Sequence, residues 1–210
     1  MNIIDSLQWR YATKKFDTHK QLTESQIYIL KEAFNLTATS YGLQTNTLVV
    51  IQNKKLQEQL VAHSWNQEQV AQASHLLVIC VPKIYSLLEV ENYFALIKKI
   101  RNTPDEMMNP FKELLLDDIT KKSQEELFLW NKNQAYIALG NLLTVCAVEK
   151  IDACPMEGFI PEKYDEVLNL SEKNLTSVLV MPVGFRAKDC FMKDLAKVRK
   201  KTQDSIIEIT

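Results

Sequence analysis

Two short basic pairs stand at opposite ends of the 210-residue chain: Arg10 with Lys14, and Lys197 with Arg199. The i, i+2 spacing of Lys197 and Arg199 points both side chains the same way if that segment is extended. Either pair alone reads as a solvated surface patch. Brought together, they would offer three or four cationic groups to one phosphate, each charge-assisted hydrogen bond contributing about 1.5–3 kcal/mol. Other chemistry has little to build on. No G-x-S-x-G elbow or H-E-x-x-H motif is present, and His19, His63 and His75 have no ligand spacing. His75, at the head of an apolar run, reads as a structural residue. Hydrolase and metalloenzyme classes are disfavoured, and no metal is expected.

The chain has only four glycines, Gly42, Gly140, Gly158 and Gly184. They cannot write the G-x-G-x-x-G dinucleotide fingerprint or the G-x-x-x-x-G-K phosphate loop. Any anion must therefore be held by clustered side chains. A net charge of -1 offers no field to draw nucleic acid or an anionic membrane. The longest apolar run, 135–148, is interrupted by Asn141 and is too short to span a bilayer. Asp5 sits in the first apolar turn and no cleavage-site pattern follows, so the start does not read as a signal peptide. Cys80, Cys146, Cys154 and Cys190 form no C-x-x-C pair, which fits free thiols in a reducing cytoplasm. With 46% hydrophobic and 24% charged residues, the length suits one domain over 1–210 with a full core.

The elements that would position these residues follow from periodicity and caps. Ile3, Ile4, Leu7 and Trp9 predict a short amphipathic helix leading into Arg10. Leu22, Thr23 and Gln26 form a staple and capping box, and Ile27, Leu30, Ala33 and Phe34 continue at helical spacing. Residues 37–46 are small and polar and read as a loop. Residues 48–51 predict a short strand, a helix follows around Leu56 and Leu60, and 65–72 is polar. Residues 76–81 predict a central strand ended by Pro82, buried on both faces. The stretch 85–150 reads as helical, with a second capping box, Ser123 and Glu126, opening a helix that could reach Lys150. Its second half, 136–148, is apolar nearly all round, which predicts burial on all sides, either in the core or at an obligate dimer interface. A turn at 154–158, a short helix from Pro161 and a strand at 177–183 follow. Residues 193–201 are basic, and 205–209 alternate like a small strand. Few strands against many helical residues give an α+β fold, helices packed on a small mixed sheet.

In order and spacing these pieces resemble the oxygen-insensitive nitroreductase family, along nearly the whole chain. Arg10, Ala12 and Lys14 match its opening pattern, and Thr39, Ser40 and Gly42 its small polar flavin loop. Asn66 precedes the strand as a flavin-ring contact does in the family. Pro155-Met-Glu157-Gly158-Phe159 matches its Pro-x-Glu-Gly-Phe motif, and Lys197-x-Arg199 its closing basic pair. The resemblance implies an intertwined homodimer of sandwich-like protomers, FMN as cofactor and NADPH or NADH as electron donor. It assigns Arg10, Lys197 and Arg199 to the FMN phosphate and Lys14 to the pyrimidine edge. Asn66 would hydrogen-bond that ring, and the Glu157 and Gly158 N–H groups would face N5. Thr39, Ser40 and Gly42 would serve the partner's flavin, and the strand at 206–209 would pair across the dimer. Gly42 and Gly158 would let backbone approach the flavin, and Gly140 would allow a close helix contact.

Two positions depart from the family pattern. Ala12 replaces a common serine, removing a possible phosphate hydroxyl, and Gln69 stands where close relatives carry a second lysine. The cycle implied is ping-pong hydride transfer to a nitroaromatic, quinone or pteridine acceptor, with no catalytic side chain required in the first half. The helical stretch 85–130, with Phe111, Leu116 and Trp130, would supply the acceptor pocket. Two other functions compete with this one, an FMN store with little turnover and a cofactor-free helical interaction module.

Overall fold

The computed structural model describes residues 2–210. Four strands form its sheet in the order β1-β2-β4-β3: β1 Thr47–Ile51, β2 His75–Pro82, β3 Asp152–Ala153 and β4 Leu175–Gly184. Every pairing of these strands is antiparallel. The sheet expected to be mixed has only an isolated parallel bridge among the described residues, Ala12 with Ala153. β2 lies between β1 and β4, and all eight of its residues are buried. Pro82 is its last residue, where the ladder ends and the missing N–H does no harm.

Strand alternation divides the core. Leu77, Ile79 and Val81 of β2, with Leu179, Met181 and Val183 of β4, pack toward α2 (Glu24–Asn35) and α7 (Gln124–Val148). Leu76, Val78, Cys80 and Val180 face the other way. They pack against Leu60 of α3 (Lys54–Val61), Val70 of α4 (Gln69–Gln72) and Tyr164 of α8 (Pro161–Val167). A third cluster joins α5 (Leu87–Arg101) and α6 (Asp105–Thr120) to the first half of α7. Both expected capping boxes form, at Thr23 and at Ser123, and Ser86 with Glu89 makes another at the start of α5. The predicted first helix is α1, Ile3–Trp9. No helix is long and apolar enough to cross a membrane, among the described residues. All four cysteines are free and buried.

Three expectations can be followed only within the protomer. The second half of α7 packs its Ala138, Leu142 and Cys146 face on the sheet and leaves Tyr136, Ile137 and Val148 exposed, so of the two alternatives, a core helix or a helix at a dimer interface, the core one is overturned. Gly140 meets no close neighbour, so it serves no tight helix contact within the protomer. Residues 205–209 form no strand here. A short 3-10 turn at Thr202–Asp204 precedes them, and Ile207 and Ile209 are 91% and 95% exposed, unpaired within the protomer among the described residues.

Candidate functional site

α1 ends at Trp9, and the chain then runs extended past β3, with the Thr13 N–H donating to the Ala153 carbonyl at 3.2 Å. A buried ion pair anchors this run. Asp152 accepts from the Arg186 Nε at 2.6 Å and the Arg186 N–H at 2.8 Å. The Arg186 guanidinium lies over the Trp9 and Tyr11 rings, 4.1 and 4.4 Å from their centroids. Burial pushes the Asp152 carboxyl up, and its bonds to Arg186 pull it back only part way. Neither residue is apparent as a site member in the sequence. The signal was a single carboxylate inside the apolar run 151–154, which needs a buried cationic partner.

So held, the N-terminal run meets the tail. Trp9, Arg10, Ala12, Met192, Lys197 and Arg199 help line one groove of about 520 Å³, and no acidic side chain lines it. The Lys197 ammonium donates to the Arg10 main-chain carbonyl. Burial first, then the charge of Arg199, holds Arg10 below its ordinary value. Burial first, then Arg10 and Arg199, does the same to Lys197. The cations thus repel one another and lose hydration without a carboxylate to offset either cost. Such a cluster is built for an anion.

A second group of residues continues from Arg10. The Lys14 Nζ lies 3.6 Å from Cys154 Sγ. Burial holds that thiol above its ordinary value against the pull of Lys14, which favours its neutral form. Gln69, also buried, reaches Met156 Sδ at 3.8 Å and donates to the Gln67 side chain at 2.8 Å. Gln67 donates to the Gly158 carbonyl at 3.0 Å. Met156 is tied to Val180 by two backbone bonds, after which the chain leaves the sheet through Glu157 and Gly158. Neither the Glu157 nor the Gly158 N–H finds a protein acceptor among the described residues. A Cβ at Gly158 would stand 2.8 Å from Trp65 Cε3 and 2.9 Å from Gln67 Nε2, so glycine is what admits Trp65. Trp65 and Asn66 are both left-handed, with φ of 55° and 57°, which turns the chain after α3 toward Gly158. Pro155 is half-buried between the two sets of contacts.

Arg10, Ala12, Lys197 and Arg199 therefore share one groove. Lys14, Gln69, Glu157 and Gly158 follow through the contacts of Cys154, Met156 and Gln67, and Asn66 adjoins them through Trp65. Thr39, Ser40 and Gly42 are not brought to this site within the protomer. The Ser40 N–H donates to Gln134 of α7 at 2.8 Å, and Gly42, at φ 75°, lies against the Tyr93 hydroxyl. Of the residues expected near the acceptor, Phe111 and Trp130 pack edge-on or tilted around Tyr41 in that same loop. Among the described residues no His, Cys, Asp and Glu group is arranged for a metal ion.

Comparison with known proteins identifies the family and the fold. The profile of the nitroreductase family matches residues 7–185. A Staphylococcus saprophyticus protein assigned as an NAD(P)H nitroreductase is 32% identical over 98% of this chain and 95% of its own. A Bacillus subtilis structure assigned as a nitroreductase superposes with a TM-score of 0.86 at 15% identity, covering 98% of both chains. An Exiguobacterium sibiricum structure, assigned as a nitroreductase in complex with FMN, superposes with a TM-score of 0.85 at 16% identity, covering 100% of this chain and 98% of its own.

Proposed function

Because the chain belongs to the nitroreductase family, we propose that it is an FMN-dependent oxidoreductase that draws electrons from NADPH or NADH. The observation that carries this reading is the groove in which Arg10, Lys197 and Arg199 converge without an acidic neighbour. A phosphate there would neutralise the repulsion that depresses Arg10 and Lys197. The other fitting feature is the Glu157–Gly158 turn, whose two N–H groups lack protein acceptors among the described residues and whose glycine lets Trp65 pack against it. When bound, FMN would supply hydride chemistry, taking a hydride from reduced nicotinamide at N5 and passing it to an acceptor.

This chain's residues would do the rest. Arg10, Lys197 and Arg199 hold the phosphate, and Ala12 leaves room beside it without adding a hydroxyl. Lys14 places a positive charge at the pyrimidine edge, where it favours the negative charge of the reduced ring. Asn66 hydrogen-bonds that edge, and Gln69 offers it an uncharged amide. Pro155 stiffens the turn that presents the Glu157 and Gly158 N–H groups. No side-chain acid or base is needed to receive the hydride.

We assign a homodimer as the working form. Ile137 and Val148 of α7 are exposed, as are Ile3 and Ile4 of α1, the helix packed against it, and apolar side chains left uncovered on neighbouring helices suit an association surface. In the dimer, Thr39, Ser40 and Gly42 would complete the opposite subunit's site, and 206–209 would find a strand edge. A nitroaromatic, quinone or pteridine would serve as acceptor, and a cytoplasmic location fits the free thiols. The test is to titrate the protein with FMN and with riboflavin, which lacks the phosphate. The groove requires FMN to bind about 100-fold or more tightly than riboflavin. Equal affinities would remove the phosphate from the account.

A further inference from the structure

Tyr136 lies on the exposed side of α7 and donates its hydroxyl hydrogen bond to Glu157 Oε1. The two residues are 21 positions apart, so the contact ties α7 to the turn that leaves the sheet at Met156. That turn has few other restraints. The Phe159 N–H donates to the Glu157 carbonyl at 2.9 Å, and Gln67 holds the Gly158 carbonyl at 3.0 Å. Trp65 covers Gly158 on one side but is itself 68% exposed. The Glu157 side chain has one protein hydrogen bond among the described residues, the one from Tyr136. The bond to Glu157 first, and burial second, push the Tyr136 phenol up to about 12. At neutral pH the phenol therefore keeps its proton. It is a fixed donor and a poor proton source.

Resting on the flavin reading above, we propose that Tyr136 is a positioning residue for hydride transfer: by holding the Glu157 carboxylate against α7 it fixes the two free N–H groups of Glu157 and Gly158 toward the hydride-accepting edge. The hydroxyl's one protein partner among the described residues is the Glu157 carboxylate. It acts through the peptide, so its loss loosens the geometry of the reacting atoms and leaves the phosphate groove intact.

The test uses Tyr136→Phe and Glu157→Ala, separately and together. In the protein without FMN, tyrosine Cζ NMR should find the phenol titrating near 12 in the parent and near the ordinary tyrosine value of about 10 in Glu157→Ala. Amide exchange at Phe159, whose N–H donates to the Glu157 carbonyl, should quicken about ten-fold in Tyr136→Phe, as expected of a turn that loses a restraint. In the FMN-loaded protein, the limiting rate of flavin bleaching by NADPH should fall about ten-fold while FMN affinity changes by less than about three-fold. The double variant should be no slower than the slower single one, because both remove the same bond. Glu157 is exposed, so Glu157→Ala gives the same readings should Tyr136→Phe fold poorly. Unchanged exchange, an unchanged bleaching rate, multiplying losses, or a loss confined to FMN affinity would each overturn the proposal. Parent protein that takes up no FMN overturns the flavin reading with it; parent protein that is reduced at the same rate as Tyr136→Phe overturns this inference alone.

Discussion

Replacing Arg10 by glutamine should move the stability of the free protein and of its FMN complex in opposite directions. Arg10 is half-buried, and its charge is opposed by burial and by Arg199. Its main-chain carbonyl, which accepts from Lys197, is untouched by the substitution. Removing the guanidinium thus relieves repulsion in the free protein while keeping that contact. The melting temperature without FMN should hold or rise by about 1–2 °C, the size of a few tenths of a kcal/mol in a domain of this length. With FMN, one charge-assisted phosphate bond is lost, worth about 1.5–3 kcal/mol, or about 10- to 150-fold in Kd. Partial burial places Arg10 in the upper part of that range. The exposed Arg199, screened by solvent, should cost only about three- to ten-fold when changed to glutamine. Fluorescence quenching of FMN measures the Kd, and thermal unfolding with and without FMN measures the rest. Parent affinity should fall with added salt more steeply than that of the variant. A change in Kd below about three-fold, or a free variant that melts many degrees lower, would refute the reasoning that Arg10 is a strained anion ligand.

Other consequences can be checked separately. Gln69→Lys should raise the flavin midpoint potential by about 30–60 mV, since a second cation would oppose the reduced ring's negative charge; a potential that stays or falls sinks that role. Burial first, then Lys54 and Lys31, holds His75 below its ordinary value. The unfolded chain therefore takes up a proton more readily than the folded one as pH drops through 6.5, and stability should fall between pH 7.5 and 5.5. His75→Gln should flatten that slope, and chemical denaturation at the two pH values measures it. On the proposed homodimer, the parent should run as a dimer on gel filtration with light scattering and Ile137→Glu as a monomer; a monomeric parent overturns the dimer, and a dimeric variant moves the interface elsewhere.

Much of the scaffold was legible because local rules and packing agree. Thr23 with Gln26 and Ser123 with Glu126 start their helices where the capping boxes stand. The continuous apolar run of β2 is a strand buried on both faces. Spacing showed the two cationic pairs but not that they meet, since 187 residues separate Lys197 from Arg10; the resemblance supplied their joining. What escaped depends on contacts between distant segments or on a partner. The closeness of Trp65 to Gly158 requires two left-handed residues in succession, and neither is glycine. The Tyr136–Glu157 bond joins a helix face to a turn, a relation that periodicity does not encode. The face of α7 bearing Ile137 and the 206–209 segment are both apolar and exposed in the protomer. Apolar patterning reports that a surface is to be covered, but not whether the covering chain is its own.

The most direct measurement is anaerobic mixing of the FMN-loaded protein with NADPH, following the visible flavin band. The account expects about one FMN per chain, bleached in a single fast phase and restored on adding a quinone or nitroaromatic. Protein that stays colourless after exposure to FMN, or a bound flavin that NADPH and NADH leave oxidised, would contradict it.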